Sequence, residues 1–129
     1  MSHHRETVTA AGAPKAAGPY SHAVKSNGVV YLSGQTPIDP NTGALVEGSI
    51  GDQTRRCLDN LAIVAAAAGA QLADAVRCGI YVTDISTFKD VNEAYATYFE
   101  SEPPAVEQVR DAIARTLARW PVGSLGESG

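Results

Sequence analysis

The apolar period changes along this chain, and that change restricts the fold class before any motif is considered. Between Ser49 and Gly69, the residues Cys57, Leu58, Leu61, Val64, Ala65 and Ala68 recur on one helical face. Further on, Val76, Cys78, Ile80 and Val82 alternate with Arg77, Gly79, Tyr81 and Thr83, the period of a half-buried strand. Ser49-x-x-Asp52 has the form of a capping box, and Gly69 suits the left-handed residue that closes a helix. A second helix opens at Thr87-x-x-Asp90, carries Phe88, Val91, Tyr95, Tyr98 and Phe99 on one stripe, and stops before Pro103-Pro104.

The residues before Ser49 read as strands and turns. Thr7 to Thr9 is β-prone, and Tyr20 to Val24 is a second short extended piece following Gly18-Pro19. Asn27-Gly28 is a hairpin signal, because both residue types accept the positive φ of a type I′ turn. The run "VVYLSG" should therefore pair antiparallel with "YSHAV", and Asp39 to Gly43, "DPNTG", is a further turn. Strands, helix, strand, helix define an α+β domain with a mixed sheet and two helices packed on one face. The 129 residues fit one domain with its own core.

Composition removes several classes of function. Ten Lys and Arg against 14 Asp and Glu give a net charge of -4 with no basic run, which argues against nucleic acid as a partner. No stretch approaches the roughly 20 apolar residues of a membrane span, and "MSHHRET" lacks a signal peptide's apolar centre, so a cytoplasmic protein is expected. Cys57 and Cys78 are 21 residues apart, without CxxC spacing or a nearby His, and read as buried inert thiols; no metal site is expected. GxSxG, HExxH, P-loop and dinucleotide glycine patterns are all absent.

What remains are polar residues at strand ends and in loops. Ser33-Gly34-Gln35 ends a strand, where a hydroxyl, a backbone N–H and an amide could bind a carboxylate or carbonyl oxygen; an ordinary strand terminus has the same look. Tyr20 could present its phenol to a substrate or simply pack beside Gly18-Pro19, and Asn92 lies off the second helix's apolar stripe, where it could bind, cap or face water.

In order, "APKAAGPYSHAV", "NGVVYLSGQTPIDPNTGALV", "QTRRCLDNL", "GIYVTDISTFKDVNEAY" and "YFESEPPA", from about Ala13 to Ala105, resemble the reactive intermediate deaminase family, RidA or YjgF-like. The resemblance implies a chorismate-mutase-like fold and a homotrimer with sites in the clefts between subunits. It implies hydrolysis of enamines and imines, such as 2-aminoacrylate, to 2-keto acids and ammonia without a cofactor. On matching positions Tyr20, Ser33, Gly34 and Asn92 would line the cleft. The family's deaminases hold the substrate carboxylate with an Arg after Pro-Ala, and hold water with a Glu in the last strand.

Here Val106 follows Pro104-Ala105. Val106, Val109, Ile113, Leu117 and Trp120 fall at helical spacing, so a helix outside the family pattern is expected over about 106–120, within a divergent tail of 106–129. A second register sets Ala114-Arg115-Thr116 and Glu127 against the family's motifs, making Arg115 and Glu127 the candidates for carboxylate holder and water holder. The alternative to catalysis is a small-metabolite-binding or regulatory trimer on the same scaffold, since the expected arginine is replaced by Val106. Ribonuclease activity fits least, given the acidic charge and the absence of an evident His-based acid/base pair.

Overall fold

The computed structural model describes residues 4–110. Three short strands, β1 (Arg5–Val8), β2 (Ala23–Ser26) and β3 (Val29–Leu32), form an antiparallel sheet in that order. Asn27 and Gly28 make the turn between β2 and β3 with φ of 53° and 78°, as the type I′ reading requires. Val8, Ala23 and Leu32 stand opposite one another across the three strands, so one row of the sheet is apolar. The first two are buried.

That row receives α1 (Ile50–Ala67). Its capping box forms as the sequence implied: the Ser49 hydroxyl accepts from the Asp52 N–H at 3.1 Å, and Asp52 accepts from the Ser49 N–H at 3.3 Å. Gly69, with φ 85°, turns the chain away at the other end. Val64 and Ala68 join Val8, Ala10, Ala13 and Ala23 in the core, with Val30, Leu32 and Ile63 packed around them. Most of these side chains are alanine or valine, so the helix can sit close to the sheet.

The second unit of pairing is β4 (Arg77–Val82) with β5 (Ala105–Arg110), a parallel pair in a separate two-stranded sheet. Parallel and antiparallel pairings are thus both present, divided between two sheets. Between the two strands lies α2 (Phe88–Ala96), which packs on α1. Thr87 sits at its start in helical conformation and makes no side-chain cap; instead Asp84 caps a preceding 3-10 turn by accepting from the Ser86 N–H at 3.0 Å. α2 thus starts where Thr87-x-x-Asp90 placed it, but without the side-chain cap that pattern implied. At the end of α2, Tyr95 stacks with Phe99 just beyond the helix, centroids 4.6 Å apart, and the Tyr98 hydroxyl donates to Asp59 on α1 at 2.7 Å. Burial, and then that bond, push the Tyr98 phenol up to about 12.

β5 corrects the expectation of a helix over 106–120: residues 105–110 are strand, and 111–120 lie outside the described residues. The physical reason is that β4 offers a row of backbone donors and acceptors, which an extended segment can pair with and a helix cannot. Arg77 and Glu107 form an ion pair across the two strands that holds this register. Two of the five apolar positions behind the helical spacing, Val106 and Val109, lie in β5; Ile113, Leu117 and Trp120 lie outside the described residues.

Candidate active site

The loops after β1 and β3 come together around a small cavity of about 110 Å³. One wall is the segment Pro14 to Ala17, the other is Gly34 to Thr36 with Ile38, and Tyr20 and His22 lie between them. Each wall is fixed by a buried polar side chain.

His22 holds the first wall. It is 6% exposed, its Nδ1 accepts from the Ala10 N–H at 2.9 Å, and its Nε2 lies 2.8 Å from the Pro14 carbonyl. A carbonyl only accepts, so Nε2 carries the proton and the ring is neutral. Both ring nitrogens are thereby engaged, which leaves His22 without a lone pair to act as a base in this arrangement.

Asn60 holds the second wall from within α1. It is fully buried, and its amide nitrogen donates to the carbonyls of Ile38 at 2.8 Å and Thr36 at 3.4 Å. Its oxygen accepts from Arg56 Nε at 3.1 Å and Nη2 at 2.9 Å. All four hydrogen-bonding positions of the amide are used. Arg56 also selects the amide's orientation, because a flip would turn the NH₂ group onto the guanidinium and the oxygen onto two carbonyls.

Tyr20 and Gly34, two of the four expected binding residues, both line the cavity. The Tyr20 hydroxyl accepts from the Ala17 N–H at 3.0 Å, and among the described residues nothing takes its proton. Gly34 is exposed, and a Cβ built there meets nothing within 4 Å, so the backbone borders open space. Ser33 is adjacent but its hydroxyl donates to the Ser21 carbonyl at 2.6 Å, so toward a ligand it offers lone pairs. Asn92 lies on α2, exposed and outside the cavity lining. Arg115 and Glu127 fall outside the described residues. Val106, in β5, is 40% exposed.

Sequence reading missed His22, Asn60 and Lys15, which also lines the cavity. Asn60 had left a signal: it falls three residues after Cys57 and four before Val64, within the helix's apolar stripe. A polar residue inside such a stripe needs partners. His22 and Lys15 left none beyond their residue type. The two cysteines are half-buried and not joined in a disulfide, and burial pushes the Cys57 thiol up to about 11.

An antiparallel hairpin sheet backed by a long helix, with a small cavity between the loops that follow β1 and β3, defines a small α+β protein. The family model described as Endoribonuclease L-PSP matches residues 10–118, thirteen residues beyond Ala105. A RutC family protein of Sulfurisphaera tokodaii is 46% identical over 100 residues, covering 78% of this chain and 80% of that one. The human 2-iminobutanoate/2-iminopropanoate deaminase is 39% identical over 120 residues, 93% of this chain and 83% of its own. Among solved structures, a Rid family protein of Yersinia pestis superposes with a TM-score of 0.80 at 41% identity, covering 83% of this chain and 86% of that one. E. coli TdcF with bound serine does so with 0.76 at 30% identity, covering 83% and 86%. The chain belongs to the reactive intermediate deaminase family, RidA or YjgF-like, and has its fold.

Proposed function

We propose that this protein hydrolyses reactive enamines and imines such as 2-aminoacrylate to 2-keto acids and ammonia, without a cofactor, as a cytoplasmic homotrimer. The observation that carries the reading is the meeting of Tyr20 and Gly34 at one cavity with no carboxylate in its lining among the described residues. In the reaction an enamine first tautomerises to its imine, gaining a proton at the β-carbon and losing one from nitrogen; water then adds to the C=N carbon, and the carbinolamine expels ammonia as its C–N bond breaks. A proton must reach the departing nitrogen, and the Tyr20 hydroxyl, whose proton is uncommitted, is suited to supply it. Ser33, with its donor spent on Ser21, would accept from the nitrogen's N–H, while Gly34 leaves its backbone open to the substrate. Orientation of a small acid and a water can account for much of such a rate.

The cavity of about 110 Å³ is smaller than the roughly 300–1,000 Å³ typical of a complete ligand pocket, which favours a site completed by a second subunit. Asn92 would then belong to the other side of the cleft; Arg115 and Glu127, the candidates for carboxylate and water holder, lie outside the described residues. Exposed Val76, Tyr81, Ile85 and Val106 around β4 and β5 supply apolar surface for such an interface. No helix among the described residues is long and apolar enough to cross a membrane.

The test is to add the protein to a serine or threonine dehydratase with its amino acid and follow 2-keto acid formation. Acceleration over the dehydratase alone is expected. Its absence rejects the reading, and 2-keto acid binding without acceleration would instead mark a metabolite-binding or regulatory trimer.

A further inference from the structure

The cavity has a charge that the family resemblance does not account for. Of the described residues lining it, Lys15 is the only lysine, arginine, aspartate or glutamate. Among the described residues no ion pair or hydrogen bond engages its ammonium. Two further lining residues carry uncommitted donors: Tyr20 its hydroxyl, and Gly34 its N–H, which no acceptor among the described residues takes. A lining with one cationic residue, two such donors and no anionic residue among the described ones suits an anionic group.

The backbone around Lys15 is fixed on both sides. Pro14 is held through its carbonyl by His22, and Ala17 through its N–H by Tyr20. Proline also locks its own φ. The lysine thus springs from a stretch of only four residues pinned at each end to side chains that themselves line the cavity, so little backbone order has to be gained on binding.

We propose that Lys15 holds the carboxylate of the substrate, the role for which Val106 has no chemistry. The proposal rests on the deaminase reading for the identity of the ligand, a small 2-imino or 2-keto acid. A lysine ammonium grips a carboxylate as a point charge and not through a planar fork, so it fixes the charge but leaves the acid free to rotate about it. Tyr20 and Gly34 then limit that rotation.

The experiment measures binding of 2-oxobutanoate by calorimetry to the full chain and to Lys15→Ala, Lys15→Glu and Lys15→Arg. Lys15 is exposed, and a matching Tm for each variant checks that the fold is kept. The expected result is at least a tenfold loss of affinity in Lys15→Ala, a larger loss in Lys15→Glu, and retention within about threefold in Lys15→Arg. In turnover the Lys15→Ala defect should appear mainly in KM, with the Lys15→Arg variant restoring it. Equal binding by the wild type and Lys15→Ala, or no binding by the wild type, overturns the assignment. Lys15-dependent binding in a protein that fails to accelerate imine hydrolysis keeps the assignment and rejects the deaminase reading.

Discussion

At the scale of single residues, His22 and Asn60 do the work of shaping the cavity, and both are polar groups in otherwise apolar surroundings. Replacing Asn60 by Leu strands two loop carbonyls and part of the Arg56 guanidinium, and should cost about 3 kcal/mol in urea unfolding. A cost below about 0.5 kcal/mol would contradict the bond network. Gly34 behaves oppositely. It has no left-handed φ, and an added Cβ meets nothing, so Gly34→Val should leave the Tm essentially unchanged while filling the mouth of the cavity. Cys57 gives a pH prediction. With its thiol raised from an ordinary value near 9.0 to about 11, the folded protein binds the proton more tightly than the unfolded chain. Its contribution to stability is present below about pH 9 and is lost as pH rises toward 11. At pH 8, alkylation of Cys57 in the folded protein should be about 100-fold slower than in the urea-unfolded chain. Equal rates would place the thiol in water. Tyr20 and Gly34 were legible in the sequence only through the company of their motifs. His22 and Lys15 were not legible at all, because what matters about them is which distant loop each meets.

Among the elements, those specified locally were the easiest to read. The Asn27-Gly28 turn, the Ser49 capping box and the Gly69 terminus are each determined within four residues, and each has the predicted geometry. Gly28 sits at φ 78° with open space around it, so Gly28→Ala should cost about 1 kcal/mol through backbone strain alone, measurable as a shift in denaturation midpoint. α2 begins at Phe88 with Thr87 at its cap position, as read, although the Thr87 side chain makes no capping bond and Asp84 caps the 3-10 turn before it. β5 was misread as helix because its conformation is set by β4, some thirty residues earlier in the chain, and not by its own spacing. The Arg77–Glu107 pair spans that gap. Since both side chains are partly exposed, Glu107→Gln should cost no more than about 1 kcal/mol, and proline at 107 should cost more by breaking the ladder.

Over the whole molecule, the fold class followed from the order of periodic segments, and the family from five motifs in sequence, both visible before any coordinates. The division into two sheets was not visible, because pairing partners are chosen by tertiary packing. The site was legible in part: Tyr20 and Gly34 converge within the chain, whereas Asn92 does not, as expected if a cleft between subunits unites them. Sedimentation equilibrium should therefore give a mass near three times the 13.4 kDa protomer, and a monomer would leave the proposed site incomplete. The central claim is imine hydrolysis at the cavity of Tyr20 and Gly34. Its most direct test compares the wild type with Gly34→Val, at matched Tm, in a threonine dehydratase reaction followed by release of 2-oxobutanoate. The account predicts acceleration by the wild type and little or none by the variant; no acceleration by either, or equal acceleration by both, would contradict it.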